Sequence, residues 1–226
     1  MARHESVGVG QKAFRLAALA AFLFGCASSP SATLASNGPH NIGKTPAAAF
    51  SESMHVAPKR VNSAGNYATL VADVAFEGPA SKETILVQKF GFGWQTITML
   101  KSACQLRIRH LSAETARTLL MGSSIPFGTY GNPCEATGDQ VDSGPAQDIE
   151  SIRRLNGDSL FLSAVIVSGN HALAFRFGGT ALLSNDHGWK TVMGGGGAID
   201  GASMEQHGVP LGEICHFPIP SKPACP

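Results

Sequence analysis

The chain has 226 residues, 43% of them apolar and 15% charged, with 17 basic and 16 acidic side chains. That is enough apolar material for the core of one ordinary domain, and a near-neutral balance without a basic run argues against nucleic acid as a partner. Twenty-six glycines and only 7% aromatics favour many turns over long helices.

In chain order, the first signal is an export segment. Arg3, Lys12 and Arg15 form a basic head, residues 16–24 an unbroken apolar run, and Gly25, Ala27, Ser28 and Ser29 a small-residue zone. This is the order of a secretory signal, and the run is too short to span a bilayer as a helix. Removing residues 1–25 takes away three basic residues and one acidic one, leaving the rest close to neutral.

At the junction, Leu23-Phe24-Gly25-Cys26 resembles the lipobox of bacterial lipoproteins. The resemblance covers only the leader. It implies cleavage before Cys26, acylation of Cys26, and a membrane partner reached through a lipid anchor. More than one acyl chain makes such anchoring stable. Ala27 stands where enterobacterial lipoproteins kept at the inner membrane carry aspartate, so the resemblance further implies an outer-membrane position facing the periplasm. Two other readings stay open: cleavage near Ala35, which discards Cys26, and an uncleaved N-terminus with Cys26 as a buried thiol. No second long apolar run follows, so the body is not expected to cross a membrane.

Setting Cys26 aside leaves Cys104, Cys134, Cys215 and Cys225, an even number in an exported chain. Two disulfides are expected, and three connectivities are possible. Nearest neighbours, Cys104 with Cys134 and Cys215 with Cys225, are favoured, since the latter loop is already stiffened by prolines; a crossed pairing stays open. No Cys-x-x-Cys spacing supports a metal, and neither a metal nor a cofactor is expected.

Residues 26–66 are rich in Ser, Ala, Pro, Asn and Gly and read as a flexible tether, with a short helix conceivable at Ala47-Ala48-Ala49-Phe50. The folded domain is expected over 67–226. Alternation puts Ala68, Leu70, Ala72, Val74 and Phe76 on one face of a strand ended by Gly78-Pro79. After residues 84–87, Phe90, Phe92 and Trp94 recur at every second position. They read as one face of a strand, a core face first and an aromatic binding platform second. Residues 104–110 alternate clearly, with Arg107 and Arg109 facing out as candidate contacts for an anionic partner.

A short helix is expected after Ser112, then a long loop over 122–144 pinned by Cys134, then a helix over 147–155. Strands follow at 160–167, 172–177, 180–183 and 189–193, with turns at Ser168-Gly169-Asn170-His171 and Asn185-Asp186-His187-Gly188. The sum is an α+β or mostly β fold, an antiparallel sheet of about six to eight strands with one or two short helices. No internal repeat is visible.

Chemistry is sparse. Gly194 to Gly197 lacks the following helix and Lys-Ser/Thr of a phosphate loop and reads as a turn. His187, Asp200, Glu205 and His207 hold the residue types of an acid/base cluster but no fixing helical spacing. His216 could activate Cys215 only if that thiol were unpaired. The leading expectation is a membrane-tethered envelope lipoprotein of non-enzymatic, protein-binding role. Its rivals are an exported hydrolase using His187, Asp200 and His207, and a small-ligand binder using Phe90, Phe92 and Trp94.

Overall fold

The computed structural model describes residues 42–75, 78–134 and 140–225. The expectations for the leader, Cys26, Ala35 and Phe76 fall outside them. All that follows concerns the unit Ser36–Pro226.

Its elements run β1 (Ile42–Gly43), α1 (Pro46–Met54), β2 (Arg60–Ala64), β3 (Tyr67–Val74), β4 (Ser81–Phe90), β5 (Gly93–Met99), α2 (Cys104–Arg107) and α3 (Ala113–Leu119). A 3-10 turn at Phe127–Gly131 leads on to α4 (Ala146–Leu155), β6 (Leu162–Ser168), β7 (His171–Arg176), β8 (Gly179–Asn185), β9 (Trp189–Gly195), α5 (Gly201–Gln206) and α6 (Leu211–Ile214). Helix starts follow local chemistry. Thr45 accepts a hydrogen bond from the Ala48 amide ahead of Pro46, and Ser112 and Asp200 cap α3 and α5 in the same way.

The strands form two antiparallel sheets rather than one. The first is ordered β1-β5-β4-β3-β2 and the second β6-β7-β8-β9. Each is buried on both faces. In the first sheet, Leu70, Ala72, Ile85 and Val87 meet α1 through Ala49 and Phe50, while Leu86 and Ile97 meet α2 and α3 through Leu106, Ala116 and Leu119. In the second, Ala172, Ala174, Ala181 and Leu183 meet α4, while Leu173 and Leu182 meet α5 and α6 through Met204, Ile214 and Phe217. Each fully buried Leu or Phe contributes about 1.5–3 kcal/mol.

The two halves share one plan, so the expectation of no internal repeat is corrected. One helix, a four-strand meander and a helix pair occur twice. The β2–β3 and β6–β7 turns are Gly65-Asn66 and Gly169-Asn170, with left-handed glycines at φ 60° and 56°. Gly93-Trp94-Gln95-Thr96 opens β5 and Gly188-Trp189-Lys190-Thr191 opens β9, with glycine φ of 138° and 134°. Both strands slip register at the same place. Val87 pairs with Thr96 and Leu86 with Thr98, just as Leu183 pairs with Thr191 and Leu182 with Met193. Trp94 and Trp189 each pack on the core facing the single helix. In the helix pairs the Leu111 amide donates to Leu106 O and the Val209 amide to Met204 O. His110 and Gly208, at φ 59° and 79°, make the same left-handed link, which accounts for a histidine in that conformation.

Other expectations change too. The strand expected at 104–110 is instead a helical turn, α2, and the Gln105 side chain accepts from the Lys101 and Ser102 amides of the turn that leads into it. Over a single turn, period two and period 3.6 bury the same residue, here Leu106. Phe90, Phe92 and Trp94 do not share a strand: Phe90 ends β4, Phe92 lies in the turn, and Trp94 sits in β5. β1, α1 and β2 also lie inside the stretch expected as tether. The disulfides are Cys104–Cys134 and Cys215–Cys225, the nearest-neighbour pairing.

Candidate functional site

The halves meet at Arg153, which projects from α4 and is 1% exposed. Its Nε and Nη2 donate to the two carboxylate oxygens of Asp142 at 2.9 and 2.6 Å. Its Nη1 donates to Gln95 Oε1 of β5 at 3.0 Å and to Leu162 O of β6 at 2.9 Å. One guanidinium thereby ties α4 and both sheets together, and the bidentate fork supplies the geometry a buried charge pair requires.

Asp142 is placed by the strap before α4. The Ser143 amide donates to Val165 O, the Val167 amide to Ser143 O, and the Val165 amide to Asp142 Oδ1 at 2.8 Å. Gly144 must be glycine there: its φ is 126°, and a Cβ would lie 2.7 Å from that of Val167.

The aromatic stretch serves the same junction. Phe90 and Phe92 stack with ring centroids 5.5 Å apart, under Arg153 at 4.7 Å and Arg154 at 5.4 Å. The Gly91 amide donates to Glu150 Oε1. The β4–β5 tip of the first repeat is thus clamped on α4 of the second.

Beside the clamp opens a cleft of about 480 Å³ lined by Asn66, Gln88, Lys89, Phe90, Asp142 and Glu150. A smaller recess of about 140 Å³ shares Gln88 and Asp142 with it and is bounded by Tyr67, Arg109, His110 and Arg153. Burial holds the Tyr67 proton above the usual tyrosine value; Asp142 adds to this, and Arg109 and Arg153 oppose it. The assembly offers amide, carboxylate and ammonium groups around one aromatic ring, which suits recognition of a polar ligand or polypeptide.

The other candidate residues have structural duties. Arg107 donates to Tyr130 O and Asn132 O, and Arg109 to Gln105 O and Gln140 O, so both arginines hold the long loop that Cys134 pins. Trp94 fills a core. His187 is 99% exposed in the β8–β9 turn beside Asp186. The Asp200 carboxyl caps α5, and the Ser203 amide holds it below its ordinary pKa. His207 bonds Ser203 O. His187, Asp200 and His207 share no hydrogen bond with one another, and among the described residues no group of three or more His, Cys, Asp or Glu could hold a metal. Cys215, disulfide-bonded, offers His216 no thiol.

Sequence reasoning missed Asp142, Arg153, Gln95 and Glu150. One signal was legible: Arg153 lies four residues after Ile149 and beside Ile152, a charge inside the apolar stripe of a helix. Compared with known proteins, the chain matches no family model, no curated protein and no solved structure.

Two outcomes are expected. Asp142→Ala strands the Arg153 charge and lowers stability by about 3 kcal/mol or more in denaturant titration, whereas the double variant Asp142→Leu/Arg153→Met recovers part of that loss. Tyr67 carries a folded-state pKa above its unfolded value. Its contribution is therefore complete below the ordinary tyrosine pKa and lost as pH rises through the raised one. Phenolate absorbance should show one of the two tyrosines ionising late, and Tyr67→Phe should remove that limb and the alkaline loss of stability.

Proposed function

We propose that the protein is a membrane-tethered lipoprotein of the bacterial cell envelope, anchored through acylated Cys26, whose body binds another protein without catalysis. It sits at the outer membrane facing the periplasm, with residues 26–41 as the span between anchor and fold. The lipobox-like leader motivates the address, and two disulfides are compatible with an oxidising compartment.

The observation that carries the binding role is the cleft between the repeats. Its floor is locked by Arg153 and Asp142, so its rim of Gln88, Lys89, Phe90 and Glu150 stays pre-organised for a partner. A small-ligand reading draws support from the same place, because about 480 Å³ lies in the range of small-molecule sites. In that reading Phe90 is the stacking surface, while Phe92 and Trp94 play no direct part.

Intact-mass analysis of membrane fractions tests the anchor. The wild type should appear in the membrane without residues 1–25, with the mass of the acyl chains added and two disulfides present. Cys26→Ser should move the full body to the soluble fraction. A wild-type chain that is uncut and fully reduced in the cytosol contradicts the proposal.

A further inference from the structure

The two repeats treat one edge differently. In the first, β1 adds a strand to the outer edge of β5, with Gly43 opposite Trp94 and Ile42 opposite Gln95. In the second, the lead-in runs along the opposite edge, where Ser143 bridges Ile166 in parallel. The matching edge of β9, at Trp189 and Lys190, pairs with no strand among the described residues. Lys190 and Thr191 are exposed there.

Two pockets flank the far end of this edge, on opposite faces of the sheet. One of about 230 Å³ is lined by Met193, Ile199 and Ser203, on the face covered by α5. The other, about 380 Å³, is lined by Ser159, Arg176 and Phe177. Arg176 continues the series Ala172 and Ala174 that faces α4, and Phe177 is 57% exposed. Gly194 and Gly195 between the pockets leave the backbone accessible from both sides.

We propose that the outer edge of β9 is a docking site for an extended segment of a partner protein, which adds to the second sheet as an antiparallel fifth strand. Main-chain hydrogen bonds supply affinity, and alternate side chains of the incoming strand enter the two pockets. Charge sets its chemistry: an apolar residue fits beside Met193 and Ile199, and an acidic one pairs with Arg176, with a second acid favoured at Lys190, whose partner within the chain is Asp186 at 3.4 Å in the exposed β8–β9 turn. The occupant imitates what Ile42–Gly43 does in the first repeat. This surface is independent of the cleft.

The test pans a displayed library of random linear dodecapeptides against the mature, oxidised protein. Enriched peptides should carry an apolar residue next to an acidic one, with a further acid towards the Lys190 end. They should slow amide exchange in Trp189–Gly195 and leave β5 unchanged. They should bind Arg176→Glu and Lys190→Glu at least about tenfold more weakly. Lys190 lies on the surface, so its variant keeps the experiment readable should Arg176→Glu fold poorly. An absence of enrichment, protection elsewhere in the chain, or equal binding to the Lys190→Glu variant overturns the proposal.

Discussion

A guanidinium that water hardly reaches holds this fold together. Neither sheet presents the other with a broad apolar face: helices of the same repeat cover both faces of each, and the second repeat adds only Phe161 and Leu160 to the α1 side of the first. Beside that apolar contact the junction is made by Arg153, which satisfies Asp142, Gln95 and Leu162 at once, with Phe90 beneath it. Removing such a charge from water costs several kcal/mol, and only saturated, well-directed hydrogen bonds offset that cost. Good geometry in the strap, in α4 and in both sheets is therefore a joint requirement. The cleft is the space left beside this constraint.

The duplicated plan explains features that look arbitrary in one half alone. A left-handed histidine between α2 and α3 occupies a place where the second repeat has glycine. The β4–β5 tip carries Phe90 and Phe92, which grip α4 of the second repeat, whereas the β8–β9 tip carries the exposed Asp186 and His187. The repeats differ most where each meets something beyond itself. Those places, the clamped tip with its cleft and the β9 edge, are the ones suited to recognition.

Much of the second repeat was legible in the sequence. Its strands are short apolar runs bounded by Gly-Asn and Asn-Asp-His-Gly turns, as strands covered on both faces require. The nearest-neighbour disulfides were the favoured of the three connectivities the sequence left open. Less was legible in the first. Cys104-Gln105-Leu106-Arg107 alternates by accident of one helical turn, and the aromatic series 90–94 straddles a hairpin that turns at Gly93, at φ 138°. The repeat itself hid because its identities are confined to turns, and the β3–β4 connection is longer than the β7–β8 one. The site was hardest to read. Gln95, Asp142 and Arg153 lie far apart in sequence, and nothing local marks a strap aspartate as the partner of a helix arginine.

Native-state hydrogen exchange on the full mature chain tests the central claim, that one buried ion pair makes two repeats into a single cooperative body. The slowest amides of β3 and β4 and those of β7 and β8 should open with the same free energy in the wild type, and separate into two steps when Arg153 is replaced by Met. Independent opening of the halves in the wild type, or unchanged coupling in Arg153→Met, would contradict it.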